Sequence, residues 1–101
     1  MVMKSLTDIK KILIEHKDEL QQKYNIKEIG IFGSAVRGEQ KRTSDIDILV
    51  EFDEGVRLGL LKFINIENYL SEFLGVKVDL VMKSALKPRI GKQILKETVY
   101  L

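Results

Sequence analysis

Two aspartates, Asp45 and Asp47, occupy alternate positions in a segment with the apolar alternation of a β-strand. Side chains at i and i+2 of a strand point to the same face, so the two carboxylates repel each other unless a positive charge neutralises them. Mg²⁺ prefers oxygen ligands and completes its shell with water and substrate phosphate. The pair therefore indicates a divalent-metal site, with solvated aspartates on an exposed strand as the alternative.

A third carboxylate, Asp79, lies in segment 76–82, which also alternates. The alternation turns Val76, Val78 and Leu80 toward one face and Asp79 toward the other. If this strand pairs with the strand of Asp45 and Asp47, the three carboxylates would share one sheet face at cross-strand distances. Taken alone, Asp79 is better interpreted as a solvated side chain.

Gly33 and Ser34 end a predicted strand and precede a short helical segment. Small residues there would let backbone N–H groups and a hydroxyl face an anion at close range. A Gly-Ser pair alone indicates only a turn, but here ten residues separate the pair from Asp45. Arg37 is either a phosphate partner or a solvated basic side chain between two glycine-bounded turns.

These candidate residues are carried by an alternating series of helices and strands. The sequence predicts helices at 5–24, Leu58 to Leu74 and Pro88 to about Lys96, strands at Lys27 to Phe32, Asp45 to Phe52 and Val76 to Met82, a polar loop from Glu39 to Ser44, and an edge strand from Thr98 to Leu101. The only histidine, His16, lies near the apolar stripe of the first helix and favours a structural role. This order indicates an α/β chain built around one small sheet.

Composition is typical of a folded single domain over residues 1–101, with 45% apolar and 32% charged residues. The chain has no cysteine, which excludes thiol chemistry and is compatible with a reducing, cytoplasmic location. No apolar run reaches the length of a membrane-spanning helix, so we expect no membrane association.

The net charge of +2 is too small to indicate direct binding of nucleic acid. From Lys83 onward, however, the sequence contains five basic residues and a single acidic one, Glu97. This local excess favours contact with phosphates or an acidic partner, or is simply a solvated helix face.

Together, Gly33-Ser34, ten intervening residues and Asp45-Ile46-Asp47 resemble the motif of the polymerase-beta-like nucleotidyltransferase superfamily. The run from Phe32 to Gly38 strengthens this resemblance. Because the chain is so short, it is most similar to the minimal nucleotidyltransferase family, the MntA-like antitoxins, over about residues 28 to 82.

The resemblance implies a mixed sheet of three to four strands flanked by helices, and transfer of AMP from ATP to a hydroxyl with Mg²⁺, two ions being expected. Ser34, with Gly33 in the same turn, would contact the terminal phosphates, assisted by Arg37. Asp45 and Asp47 would bind the metals. Asp79 would join one metal and act as a base on the acceptor hydroxyl.

The resemblance also implies a partner, a HEPN-domain toxin whose tyrosine accepts the AMP, and a homo-oligomer or a hetero-oligomer with that toxin is compatible with it. Two alternatives remain open. One is an adenylyltransferase acting on a small molecule, and the other is a non-catalytic antitoxin that neutralises its partner by contact alone.

Overall fold

Helices and strands alternate along the computed structural model, which describes residues 5–38 and 45–101. The elements are α1 (Leu6–Tyr24), β1 (Ile26–Phe32), α2 (Ser34–Arg37), β2 (Ile46–Phe52), α3 (Leu60–Leu74), β3 (Val78–Met82), a 3₁₀ turn (Lys83–Ala85), α4 (Pro88–Glu97) and β4 (Val99–Tyr100). The polar loop predicted from Glu39 to Ser44 lies outside the described residues. None of the helices in the two described ranges is long and apolar enough to cross a membrane.

Helix α1 begins and ends with residues suited to those positions. The Ser5 hydroxyl accepts a hydrogen bond from the Asp8 N–H at 3.2 Å, and the Asp8 carboxylate accepts one from the Ser5 N–H at 3.2 Å. This reciprocal capping satisfies two backbone donors that the first turn leaves unpaired. Asn25 ends the helix in the left-handed conformation, with φ of 57°.

The four strands form one mixed sheet in the order β3-β2-β1-β4. Strand β1 pairs antiparallel with β2 and β4, whereas β2 pairs parallel with β3. A parallel pair needs a crossover connection, and α3 supplies it. The predicted α/β fold with a small mixed sheet is therefore confirmed.

The hydrophobic core lies between one face of this sheet and the helices α1 and α3. Alternate residues of the strands point into it, as the sequence pattern predicts. Its fully buried side chains include Ile9, Leu13 and Leu20 of α1, Ile29 and Ile31 of β1, Ile46, Ile48 and Val50 of β2, and Ile66, Leu70 and Leu74 of α3. His16 packs against Phe73 at a ring-centroid distance of 4.6 Å, which confirms its structural role.

The opposite face of the sheet carries the charged and polar side chains. Near the end of β3, the Lys83 ammonium lies 3.4 Å from the Glu28 carboxylate and 3.5 Å from that of Glu51. It also lies 5.7 Å from the centre of the Tyr100 ring. Lys83 thus neutralises two like charges on neighbouring strands and connects them to β4.

Two predicted boundaries are wrong by two residues. Helix α3 begins at Leu60 rather than Leu58, because Gly59 is extended, with φ of −75° and ψ of 160°, and serves as its N-cap. Strand β3 begins at Val78 rather than Val76. Its pairing with β2 starts there, where the Val78 N–H also donates to the Ser71 hydroxyl at 2.9 Å.

Strand β4 is held close to β1 because Gly30 lacks a side chain. A Cβ atom at Gly30 would lie 2.5 Å from the Thr98 Cγ2 and 3.1 Å from the Val99 carbonyl oxygen. We expect Gly30→Ala to lower the free energy of unfolding by about 1–3 kcal/mol, because the added methyl group forces β4 away. Chemical denaturation of both proteins measures the difference.

The matched second change is Thr98→Ser, which removes the obstructing methyl group but keeps the hydroxyl that donates to the Ile94 carbonyl at 2.6 Å. Gly30→Ala combined with Thr98→Ser should recover part of the lost stability. Simple additivity of the two changes would contradict the close contact between β1 and the residue before β4.

Candidate active site

The parallel register of β2 and β3 places Asp79 directly beside Asp47. Neighbouring strands lie about 4.8 Å apart, and laterally paired residues point to the same face. The structure therefore brings these two carboxylates together on the face opposite the hydrophobic core. Asp79 is exposed and Asp47 is half-buried.

Asp45 stands just before β2 and is also half-buried. Its position is set by the next residue, since the Ile46 N–H donates to the Lys77 carbonyl of the neighbouring chain segment at 2.9 Å. Asp45 and Asp47 are two residues apart and share a face. All three predicted carboxylates thus lie at one end of the β2–β3 pair.

The charges of these residues act on one another. Burial raises the pKa of Asp47 above its ordinary value, and the carboxylates of Asp79 and Asp45 raise this pKa further. Arg37 lowers the pKa of Asp47, and Glu97 raises it. Burial, and after it repulsion from the neighbouring carboxylates, therefore destabilises the ionised form of Asp47.

Gly33 brings the turn before α2 into contact with this group. Its φ of 79° and ψ of −150° belong to a region that only glycine adopts readily. A Cβ atom at this position would overlap the Asp47 carboxylate. Gly33 is thus required both by its backbone conformation and by the space that Asp47 occupies.

Ser34 and Arg37 are the first and last residues of α2, a single turn in which the N–H groups of Val36 and Arg37 donate to the Gly33 carbonyl at 3.1 and 3.2 Å. The Arg37 Nη1 lies 3.1 Å from both carboxylate oxygens of Glu97. One of these oxygens, Oε1, also accepts a hydrogen bond from the Gly33 N–H at 3.1 Å. Arg37 is thus held beside the turn, with 46% of its side chain exposed to solvent.

Glu97 is the residue at this site that sequence reasoning missed. It belongs to α4, more than fifty residues away along the chain, and hydrogen-bonds to both Gly33 and Arg37. The one available signal was compositional, because Glu97 is the sole acid among the five basic side chains from Lys83 onward. Nothing in its local sequence indicates which turn it contacts.

The chemistry of these donors fits a magnesium site. Three aspartates supply the hard oxygen ligands that Mg²⁺ prefers, and Asp47 experiences the repulsion that a bound cation would relieve. In residues 5–38 and 45–101, no three acidic or imidazole side chains lie close enough together to form a metal site by themselves. The three aspartates alone therefore do not form a metal site in this structure, and an ion held by some of them would take its remaining ligands from water and phosphate.

Comparison with known proteins decides the family. A family model for the nucleotidyltransferase domain matches residues 13–101. The protein adenylyltransferase MntA of Thermococcus cleftensis is 54% identical over 101 residues, covering 100% of both chains. The chain belongs to the nucleotidyltransferase family.

Two solved structures are similar to this nucleotidyltransferase. A structure described as a minimal nucleotidyltransferase superposes with a TM-score of 0.73 and 33% identity, covering 97% of this chain and 100% of the other. A toxin–antitoxin complex with AMP-PNP superposes with a TM-score of 0.69 and 25% identity, covering 85% of this chain and 69% of the other. The resemblance to minimal nucleotidyltransferases is confirmed, and the chain is a nucleotidyltransferase enzyme.

The repulsion at Asp47 predicts that Asp47→Asn stabilises the metal-free nucleotidyltransferase. The pKa of Asp47 is raised in the fold, so its ionised form destabilises the folded state at neutral pH. We expect the free energy of unfolding to increase at pH 7 by about 0.5–1 kcal/mol, a small value because water screens this partly exposed group. Below the carboxyl's pKa in the unfolded chain, the difference should disappear.

Thermal melts of the two proteins from pH 3 to pH 8 measure this effect. Asp53→Asn is the matched control, because Asp53 is an exposed aspartate at the other end of β2. Adding Mg²⁺ should raise the melting temperature of the wild-type protein more than that of Asp47→Asn. A variant less stable than wild type at pH 7 without metal would contradict the prediction.

Proposed function

We propose that this nucleotidyltransferase transfers AMP from ATP to a hydroxyl of a protein partner. The partner is a HEPN-domain toxin, the acceptor is a tyrosine, and the chain is the antitoxin of the pair. The observation that carries the proposal is the position of Asp47, which contacts Gly33 on one side and lies beside Asp79 on the other. One carboxylate thereby joins the proposed phosphate-binding turn to the proposed acceptor side.

In this proposal, the Gly33–Ser34 turn and Arg37 hold the triphosphate of ATP. Glycine at 33 lets the turn lie against the Asp47 carboxylate, and Ser34 adds a hydroxyl. Arg37 lies beside this turn and supplies positive charge. Asp45, Asp47 and Asp79 would hold Mg²⁺, with two ions expected, and the metal would neutralise charge on the phosphates during transfer.

The transfer needs positioning and charge neutralisation more than covalent chemistry by the protein. The acceptor oxygen forms a bond to the α-phosphorus, the bond between this phosphorus and the leaving oxygen breaks, and pyrophosphate departs. The acceptor proton passes to a carboxylate oxygen of Asp79. Asp79 is suited to this role because it is exposed and lies beside Asp47.

Two similar proteins support a protein acceptor. The relative from Thermococcus cleftensis is named a protein adenylyltransferase, and the AMP-PNP structure is a toxin–antitoxin complex. The first supports a protein substrate, and the second supports a hetero-oligomer with the toxin. The proposal places the pair in the cytoplasm, in keeping with the cysteine-free sequence.

The test is transfer of label to the purified candidate toxin in the presence of Mg²⁺. ATP labelled at the α-phosphate should label the toxin, whereas ATP labelled at the γ-phosphate should not, since pyrophosphate leaves. Asp45→Asn/Asp47→Asn should reduce labelling roughly 100-fold or more, because charge stabilisation in the transition state is lost. Asp53→Asn should label the toxin like wild type.

The same experiment separates the alternatives. A toxin silenced equally by the wild type and by Asp45→Asn/Asp47→Asn, without label, would establish neutralisation by contact alone. Label transferred to small hydroxyl compounds, but not to the toxin, would instead establish a small-molecule adenylyltransferase. Mass spectrometry of the labelled toxin, with its tyrosines replaced by phenylalanine one at a time, identifies the acceptor residue.

A further inference from the structure

Glu97 connects the C-terminal segment of the chain to the proposed nucleotide site. Its Oε1 accepts hydrogen bonds from the Gly33 N–H and the Arg37 Nη1, both at 3.1 Å. Its second oxygen, Oε2, also lies 3.1 Å from the Arg37 Nη1. One carboxylate therefore contacts the backbone of the turn and the guanidinium group beside it.

Hydrogen bonds and strand pairing hold the backbone next to Glu97. This glutamate is the last residue of α4, and the next residue closes the helix, with the Thr98 N–H donating to the Ile94 carbonyl at 3.0 Å. Strand β4 follows at once and pairs with Gly30 and Ile31 of β1. Glu97 is thus held between a helix end and a paired strand, and only 18% of its side chain is exposed.

Leu101, which follows β4, is also held by hydrogen bonds. The Leu101 N–H donates to the Ile29 carbonyl at 3.0 Å, and the Lys17 ammonium donates to the Leu101 carbonyl at 2.7 Å. Helix α1 and strand β1 therefore both hold the segment that carries Glu97. A carboxylate held in place in this way can orient a long side chain such as that of Arg37, because the carboxylate itself loses little conformational freedom in doing so.

The charge of Glu97 also requires an explanation. It lies near Asp47 and adds to the negative potential there. A fourth acidic group near a triphosphate opposes nucleotide binding unless it is neutralised. The ion pair with Arg37 neutralises it and at the same time restricts the guanidinium to the side of the Gly33 turn.

We propose that Glu97 is a positioning residue for the nucleotide, which holds the Gly33 turn and the Arg37 guanidinium in the geometry that receives the triphosphate. The inference rests on the proposed function, since it assumes that Gly33, Ser34 and Arg37 contact phosphate. It assigns a role to α4 and β4, which carry none of the motif residues. Glu97 itself acts through its two partners and touches no substrate.

The test compares two substitutions that separate the two contacts. Glu97→Gln keeps an oxygen that accepts from the Gly33 N–H but removes the negative charge that Glu97 places beside Arg37. Glu97→Ala removes both contacts. We expect affinity for AMP-PNP with Mg²⁺, measured by calorimetry, to fall roughly tenfold in Glu97→Gln and further in Glu97→Ala, because misplaced binding groups weaken recognition steeply.

The decisive experiment repeats both Glu97 substitutions in the Arg37→Gln variant. If Glu97 acts through Arg37, Glu97→Gln should have no further effect on affinity in Arg37→Gln, whereas Glu97→Ala should still weaken binding through Gly33. Glu72→Gln is the matched control, since Glu72 is an exposed acid on α3 and its change alters the net charge equally. Its affinity should equal that of wild type.

Several results would overturn the proposal. Tighter nucleotide binding in Glu97→Gln would show that Glu97 competes with phosphate for Gly33 and Arg37. Unchanged binding, or full additivity with Arg37→Gln, would show that Glu97 does not position the guanidinium. In transfer assays the KM for ATP should rise while the KM for the toxin stays constant, which a general loss of structure would not produce.

Stability and function are separated within the same experiment. Circular dichroism melts accompany each variant, and if Glu97→Ala does not fold, the isosteric Glu97→Gln carries the test. Absence of AMP-PNP binding in the wild-type protein would refute the proposed function itself. Normal binding and transfer in all Glu97 variants would refute only the positioning role.

Discussion

The grouping of Asp45, Asp47 and Asp79 at one end of the β2–β3 pair is the feature on which the rest of the site depends. Burial raises the pKa of Asp47, and the two neighbouring acids raise it further. The helices α1 and α3 and their buried apolar side chains keep β2 and β3 in register despite the repulsion between these carboxylates. A cation bound beside Asp47 would offset the cost of its negative charge, and binding of that cation would in turn stabilise the fold.

Much of the fold was readable from periodicity, and the site was readable in part. Alternating apolar residues predicted the strands, and the Ser5 cap and glycine-terminated helices followed known end signals. The boundary at Leu58 was wrong because apolar Leu58 continues the helical pattern, whereas the backbone becomes helical only after Gly59. The pattern of apolar residues does not show where the backbone becomes helical, since this depends on the path of the connection between β2 and α3.

In the site too, local sequence patterns predict some features, whereas others depend on three-dimensional packing. The face on which each aspartate lies follows from strand alternation, but the pairing of Asp47 with Asp79 follows only from the parallel register. The contact between Gly33 and the Asp47 carboxylate is likewise a property of three-dimensional packing. Glu97 could not be found by spacing, because its partners lie in a different part of the chain and its own neighbours are basic. Motif residues were therefore predictable, whereas the residue that contacts the motif from a distance was not.

The Asp47 carboxylate lies against Gly33 and limits the side chain that position 33 can hold. Position 33 rejects a side chain for two independent reasons, its backbone conformation and the carboxylate that fills the adjacent space. Shortening the residue at 47 would remove the second obstacle but leave the first, so no compensating partner exists for a larger residue at 33. A saturation library across the two positions should therefore contain almost no tolerated pairs without glycine, and directed evolution of nucleotide preference would have to proceed through other residues.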